Sequence, residues 1–310
     1  VTILFRGSAS KETEAPMGMY FVPCDEQGKE LTPQKMNPVT ITPFDPATSA
    51  LRNKNDRYPY PYGPFQYAQD EDLVLDAPLR SLDIIPTVKQ GRETGDTVAI
   101  GSRIALSASA GLDNEKDFLA QVLEKDYAAQ LSDSAAYPIS LAIDSSAAWT
   151  NSESYRLELT PEGAAITGAS SAGVFYGIQT LRAVLGMNTL PLRTPAVSIS
   201  DYPDFGYRGM HLDIARNFQT PEAVKRLLDI MAYYKLNVFH FHFNDDEAWR
   251  LEIPGIPELT SYGARRGHTL DEKDMLHPTY GSGPFADDTT SHGYGYFTRE
   301  QFIDLLRYAT

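Results

Sequence analysis

Cysteine is almost absent: Cys24 is the single one in 310 residues. It excludes an internal disulfide, but leaves cytoplasm and extracytoplasmic space equally open. Cationic side chains are outnumbered as well, 27 Lys and Arg against 41 Asp and Glu, for a formal net charge of −14. A surface of that sign repels phosphate backbones and no basic stripe interrupts it, so no nucleic-acid partner is expected. Long apolar runs are missing too. No stretch approaches the roughly 20 residues of a membrane-crossing helix, so no membrane span is expected. Nor is an export signal legible, because Val1 to Gly7 lack an initiator Met, a basic segment and an apolar core of sufficient length. The expectation is that any signal was removed or lay upstream. At the other end FTREQFIDLLRYAT places Phe302, Leu305, Leu306 and Tyr308 at helical spacing and then stops without a capping Gly or Asn. The chain reads as a piece of something longer.

What is present suffices for a sizeable core. Hydrophobic residues make up 42% and charged residues 22%, an ordinary soluble composition, and the length implies two or three domains. Residues 1–80 hold short strand-like runs such as MGMYFV, a turn signal at Glu26, Gln27 and Gly28, and the Pro- and Tyr-rich RYPYPYGPFQY. They read as a β module followed by an irregular connector, whose aromatics fit either a sugar-stacking platform or a linker packed on its neighbours. Residues 81–200 alternate. DTVAIGSRIALSAS and YPISLAID are strand-like, DNEKDFLAQVLEKDYAAQL is helical, and YRLELTPEGAAITGAS is a hairpin turning at Pro161 to Gly163. SAGVFYGIQTLRAVLG follows as a helix ended by Gly186, with Val174, Ile178, Leu181 and Leu185 on one stripe. Helices mixed with adjacent antiparallel strands imply an α+β layer, sheet on one side and helices on the other.

From residue 201 the order changes. GMHLDI is a strand, Arg216 follows, and a helix opens at Thr220 and Pro221, a favoured Ncap and N1 pair. That helix carries Val224, Leu227, Leu228, Met231 and Tyr234 at helical spacing, then NVFHFHF is a second strand and another helix begins near Thr298. This β-α-β order fits the opening of a (β/α)8 barrel truncated after two strands, over residues 201–310. The fold class expected is therefore an α/β and α+β multidomain chain: a partial amino-terminal β module, a small α+β sheet domain, and the first part of a TIM barrel.

NVFHFHF ends abruptly on Asn244, Asp245, Asp246 and Glu247. Acids at the end of a buried strand are costly unless they face water, pair, or bind a ligand. In a parallel barrel, chemistry lies at the carboxyl ends of strands, which puts Asp245 and Asp246 on a cleft rim with Arg216. There Arg216 either grips adjacent hydroxyls or forms a structural salt bridge. His240 and His242 alternate with Phe239, Phe241 and Phe243, so the two sets point to opposite faces. A zinc site is conceivable, but a buried, hydrogen-bonded imidazole in a barrel wall is the commoner outcome. NDDE lacks the alternating oxygens and Gly of an EF-hand, which disfavours calcium. No metal and no cofactor are expected.

DYPDFGYRGMHLDIARNF and KLNVFHFHFNDDEAWRLEI resemble glycoside hydrolase family 20, the β-N-acetylhexosaminidases, and IPELTSYGARRGHT with the later GSGP resembles its chitobiase branch. IIPT at Ile84 to Thr87 and SAGVFYGIQTL are similar to the α/β domain that precedes the barrel there. The first 80 residues look like the tail of the chitobiase amino-terminal β domain, so the resemblance covers nearly the whole chain.

The resemblance implies an exo-acting enzyme that removes terminal non-reducing N-acetylglucosamine from chitobiose or chitin oligosaccharides. It also implies a periplasmic, cell-surface or secreted location. By position, Arg216 matches the arginine that holds the sugar hydroxyls at C3 and C4. Asp245 matches the carboxylate that orients a histidine supporting the acid. The mechanism implied is substrate-assisted: an Asp-Glu pair works on one sugar, Glu protonating the leaving oxygen while Asp steadies the 2-acetamido group as its carbonyl attacks C1. One departure is decisive. No HxGxDE-like segment carrying that pair occurs before Thr310, and the supporting histidine and aromatic pocket walls are absent as well. This stretch alone is expected to be inactive, and the alternative is a non-catalytic carbohydrate-binding or assembly fragment.

Overall fold

The computed structural model describes residues 84–134, 136–267, 271–277 and 292–309, with single positions 67, 68, 70, 71, 82 and 269. The expected strand in MGMYFV, the turn at Glu26 to Gly28, Cys24, and all of the connector but Tyr67 lie outside the described residues. Among the described residues, no helix is long and apolar enough to cross a membrane. The chain divides into two compact units: Ala77–Leu212 with Glu222–His240, and Asp213–Pro221 with Phe241–Thr310 and Val1–Asp76.

The first unit is built on β1 (Gln90–Ile100), β2 (Arg103–Ala108), α1 (Asp113–Tyr127), β3 (Gln130–Leu131), β4 (Tyr137–Ile143), β5 (Tyr155–Thr160), β6 (Gly163–Gly168), α2 (Ser171–Leu185) and β7 (Leu192–Asp201). Its seven strands lie in the order β1-β7-β5-β6-β4-β2-β3. The expectation of antiparallel neighbours holds only for half of it. β1–β7, β7–β5 and β5–β6 are antiparallel, whereas β6–β4, β4–β2 and β2–β3 are parallel. A parallel pair needs a crossover, and α1 supplies the one that follows β2.

Alternation of side chains decides which face of the sheet is covered. In β5, Tyr155, Leu157 and Leu159 are buried while Arg156 and Glu158 are exposed, and the hairpin register sets Leu157 against Ile166 and Leu159 against Ala164. Onto that face α2 lays Val174, Ile178, Leu181 and Leu185, all buried. Gly177 permits the close approach, since a Cβ there would stand 2.5 Å from Ile166 Cγ2. α1 stops four residues short of its expected end. Ala128 adopts φ 55° and donates its N–H to Leu123 O, after which Gln130 N reaches Ser102 O and Ser132 N reaches Ile104 O. Pairing with β2 overrides helical propensity there.

β8 (Gly209–Asp213), α3 (Pro221–Tyr233) and β9 (Val238–His242) follow, with β8 beside β9. Arg208 O accepts from Asn237 N and Val238 N at the start of the pair, and Ile214 N donates to His242 O at its end, so the strands run parallel. α3 buries Val224 and Met231, whereas Tyr234, expected on the same stripe, is 43% exposed. The helix is anchored at its end by Lys235 (φ 60°), whose buried Nζ lies 2.7 Å from Tyr155 Oη and 3.1 Å from Asp201 Oδ2. The Tyr155 hydroxyl donates to Asp201 at 2.7 Å and lies 2.5 Å from the Thr180 hydroxyl, while Lys89 N donates to the other oxygen of Asp201. Every member of this buried network has a partner, the condition under which burying charge is tolerated.

The second unit carries β10 (Asn244–Asp245), β11 (Ala248–Trp249), α4 (Glu258–Ser261) and α5 (Arg299–Ala309). Its apolar centre is aromatic: Phe241 meets Phe243 and Phe297, and Phe243 meets Trp249 and Phe302. α5 opens on a capping box, with Gln301 N donating to Thr298 Oγ1 and Thr298 N donating to Gln301 Oε1. Of its expected stripe Leu305 is buried, but Leu306 and Tyr308 are about half exposed.

Candidate active site

The end of β8 is shaped by its last residue. Asp213 Oδ1 accepts from Ala215 N at 2.9 Å and from Arg216 N at 3.3 Å, which turns the chain immediately after the strand. Asp213 Oδ2 accepts from Arg216 Nη1 at 2.7 Å, so one carboxylate fixes both the backbone and the side chain of Arg216.

The acidic ending of β9 is a hairpin. Asn244 pairs with Trp249 and Asp245 with Ala248, leaving Asp246 and Glu247 as the two turn residues. Two of the three acids turn back toward Arg216: Asp245 Oδ2 stands 2.8 Å from Nη2, and Glu247 Oε2 stands 2.8 Å from Nε. The Glu247 contact is an ion pair off the line of a hydrogen bond, since that oxygen has no aligned donor. Asp246 is exposed and gives its backbone N–H to Asp245 Oδ1 at 2.7 Å. The acids at the end of the strand are thus stabilised by pairing and by water.

Arg216 and Asp245, the two site residues expected from sequence, lie in direct contact, and each of the three guanidinium nitrogens faces a different carboxylate. Partial burial works against the Arg216 charge, but the hydrogen bond and charge of Asp213, with Glu247 and Asp245, outweigh it and raise the pKa above the usual arginine value. The Asp245 carboxyl is lowered, first by the Asp246 N–H and then by His242 and Arg216. His242 Nε2 lies 2.8 Å from Asp245 Oδ2 and 3.3 Å from Arg216 Nη1.

His240 does not follow the buried-imidazole expectation. It is exposed and meets His211 edge-on at 4.6 Å, because the two-stranded sheet leaves that face of β9 uncovered. The alternating phenylalanines take the covered face, as Phe241 and Phe243 in the aromatic cluster show.

Sequence reasoning assigned no role to Asp213 or Arg250, weighed His242 only as a zinc ligand or a barrel-wall imidazole, and left Glu247 as one of the strand-end acids. Arg250 is wholly buried, and its guanidinium donates to five backbone carbonyls. Burial pulls its pKa down to about 10, with Arg266 adding to the pull, so it remains charged near neutrality. The available signal was an arginine inside the otherwise strand-like AWRLEI. Nearby, buried Arg266 donates to Glu247 O and His277 O, which ties down the turn that carries Glu247.

Two family models match: "Glycosyl hydrolase family 20, catalytic domain" over residues 205–310, and "Glycosyl hydrolase family 20, domain 2" over residues 81–202. The chain belongs to glycosyl hydrolase family 20. Relatives include a beta-hexosaminidase of Vibrio vulnificus, 47% identical over 161 residues, or 51% of this chain and 18% of the relative. An N,N'-diacetylchitobiase of Vibrio harveyi is 39% identical over 175 residues, 56% of this chain and 19% of the relative. Among solved structures, the family 20 exo beta-N-acetylglucosaminidase of Vibrio harveyi in complex with N-acetylglucosamine aligns with a TM-score of 0.63 at 29% identity. That alignment covers 73% of this chain and 34% of that one. The chain spans about a third of the length of that structural relative, and about a fifth of each of the two sequence relatives.

Proposed function

We propose that the protein carrying this chain is an exo-acting β-N-acetylhexosaminidase of chitobiase type, acting on terminal N-acetylglucosamine of chitobiose or chitin oligosaccharides. The observation that carries this reading is the Arg216 cluster at the carboxyl ends of two parallel strands, where the chemistry of a (β/α)8 barrel lies. In this reading β8, α3 and β9 open that barrel, residues 201–310 belong to it, residues 81–200 form the domain preceding it, and residues 1–80 end an amino-terminal β domain.

A sugar diol offers both donors and acceptors, and a guanidinium bracketed by carboxylates matches both. Arg216 keeps 40% of its side chain exposed, so solvent and ligand can reach the fork. Its role is to hold the hydroxyls at C3 and C4 while Asp245 orients the histidine that supports the acid, itself supplied from outside this stretch. The substrate's own acetamide carbonyl attacks C1, with retention of configuration, and the Asp-Glu pair that steadies the acetamide and protonates the leaving oxygen is supplied from outside this stretch. Chitin is extracellular, which favours a periplasmic, cell-surface or secreted location.

The test is Arg216→Lys in the full-length protein. Lysine keeps the charge and loses the planar fork, so at least one charge-assisted hydrogen bond disappears. The specificity constant on a chromogenic N-acetylglucosaminide should fall about 10- to 150-fold, mostly through KM because these hydroxyls do not react. An unchanged specificity constant with a lowered melting temperature would remove Arg216 from the site.

A further inference from the structure

Arg250 is 0% exposed, and its hydrogen bonds to the protein all go to main-chain oxygens. Nε donates to Ile214 O at 3.1 Å and Nη2 to Ala215 O at 2.9 Å. Nη1 serves Ala264 O and Gly295 O, each at 3.0 Å, and Gly293 O at 3.2 Å. The first two carbonyls belong to the two residues that immediately precede Arg216.

The same stretch is held from its other side. Phe218 N donates to His292 O at 2.9 Å, and His292 Nδ1 lies 2.9 Å from Phe218 O. The Phe218 ring stands 5.8 Å from the Arg250 guanidinium and packs edge-on against Phe297. Gly295, at φ 140°, comes so close that a Cβ there would lie 2.3 Å from the Phe218 ring. Arg250, Phe218 and residues 292–295 therefore form one packed wedge behind the backbone that bears Arg216.

We propose that Arg250 is a positioning residue: its buried guanidinium sets the height of the 214–216 backbone, and through it places the fork of Arg216 for two adjacent sugar hydroxyls. The inference rests on the reading of Arg216 as the sugar ligand. The physical reason is the shape of the donor set. Guanidinium spreads its N–H groups in one rigid plane, so it reaches carbonyls from three separate segments at once, whereas an ammonium offers three donors from a single point. Replacing Arg250 by lysine leaves some of the five carbonyls, four of them in buried contacts, unpaired, and the segments relax to regain partners.

The experiment compares Arg250→Lys, Arg216→Lys and the double variant in the full-length protein, recording melting temperature, KM and kcat on a chromogenic N-acetylglucosaminide. Arg250→Lys should raise KM about 10-fold, the equivalent of one charge-assisted bond, with a smaller change in kcat of the folded fraction. In the Arg216→Lys background the same change should add less than about twofold, because the fork it places is already gone. A lowered melting temperature with unchanged KM, or additive losses in the double variant, would overturn the positioning role and leave Arg216 in the site. A parental KM in Arg216→Lys would instead overturn the site itself. Should Arg250→Lys fail to fold, Gly295→Ala drives a methyl into the Phe218 ring and shifts the same wedge without altering either arginine. The same KM-weighted loss is expected, and a parental KM there would overturn the proposal.

Discussion

β5 and β8 are strands of similar length with opposite fates. In β5 every second side chain is buried, Tyr155, Leu157 and Leu159, and α2 covers them; in β8 Gly209, Met210 and His211 are exposed and only the last two residues are half-buried. Hydrogen bonding made both into strands, but burial came only where the chain itself supplies a covering layer. Charge follows the same division. Among the described residues, the sheet region encloses the Lys235–Asp201 pair with both charged groups hydrogen-bonded, whereas the end of β8 surrounds one guanidinium with three partly exposed carboxylates. One region encloses its charged groups, and the other leaves them within reach of solvent.

The largest effect should come from breaking the enclosed pair. Lys235→Met leaves the Asp201 carboxylate buried with only Tyr155 and Lys89 N for company, and the protein should lose about 3–5 kcal/mol of stability. Urea unfolding followed by circular dichroism measures it, and a loss below about 1 kcal/mol would mean that the enclosed charges matter no more than surface ones. A smaller loss is expected from overpacking the covered face. Gly177→Ala sets a methyl against Ile166 and Tyr155, at a cost of about 1–3 kcal/mol, and a raised melting temperature would show that the α2 interface has slack.

The smallest effect belongs to the open cluster. The Asp245 carboxyl is lowered in the folded protein, so its contribution is fully present above the ordinary carboxylate value and is lost only as pH falls through the lowered one. Its carboxyl carbon resonance should therefore stay in the ionised position below about pH 4. A midpoint at or above that value would show that Asp246 N–H, His242 and Arg216 do not hold the charge in solution.

The legible parts of this fold are those set by local pattern. The 155–168 hairpin, the stripe of α2 and the βα spacing from 209 to 242 all follow from alternation or helical period, and each is present. What sequence could not supply is tertiary. The α1 carboxyl end gives way to pairing with β2, and the parallel half of the sheet depends on which strands a crossover brings together. Arg216 and Asp245 were expected together because residues at strand ends share a rim, and they lie in contact. Asp213 and Glu247 join them through a tight turn and a two-residue hairpin, each too short to leave a periodic signal. Arg250 was hidden for a different reason: its partners are carbonyls, and a carbonyl carries no sequence identity.

The charge around Arg216 also bears on what can approach. Arg216 with Asp213, Asp245 and Glu247 sums to −2, 1 minus 3, but buried Arg250 and Arg266 behind them offset that charge, so the excess felt from a distance is that of the chain, whose formal charge is −14. A neutral glycan feels none of this repulsion at a distance. A uronate or sialylated glycan would be slowed before it touched a single residue, and added salt would lift part of that barrier because exposed charges are screened over about 10 Å at 0.1 M. On the proposed reading, charge therefore filters ligands at long range before Arg216 meets their hydroxyls at close range.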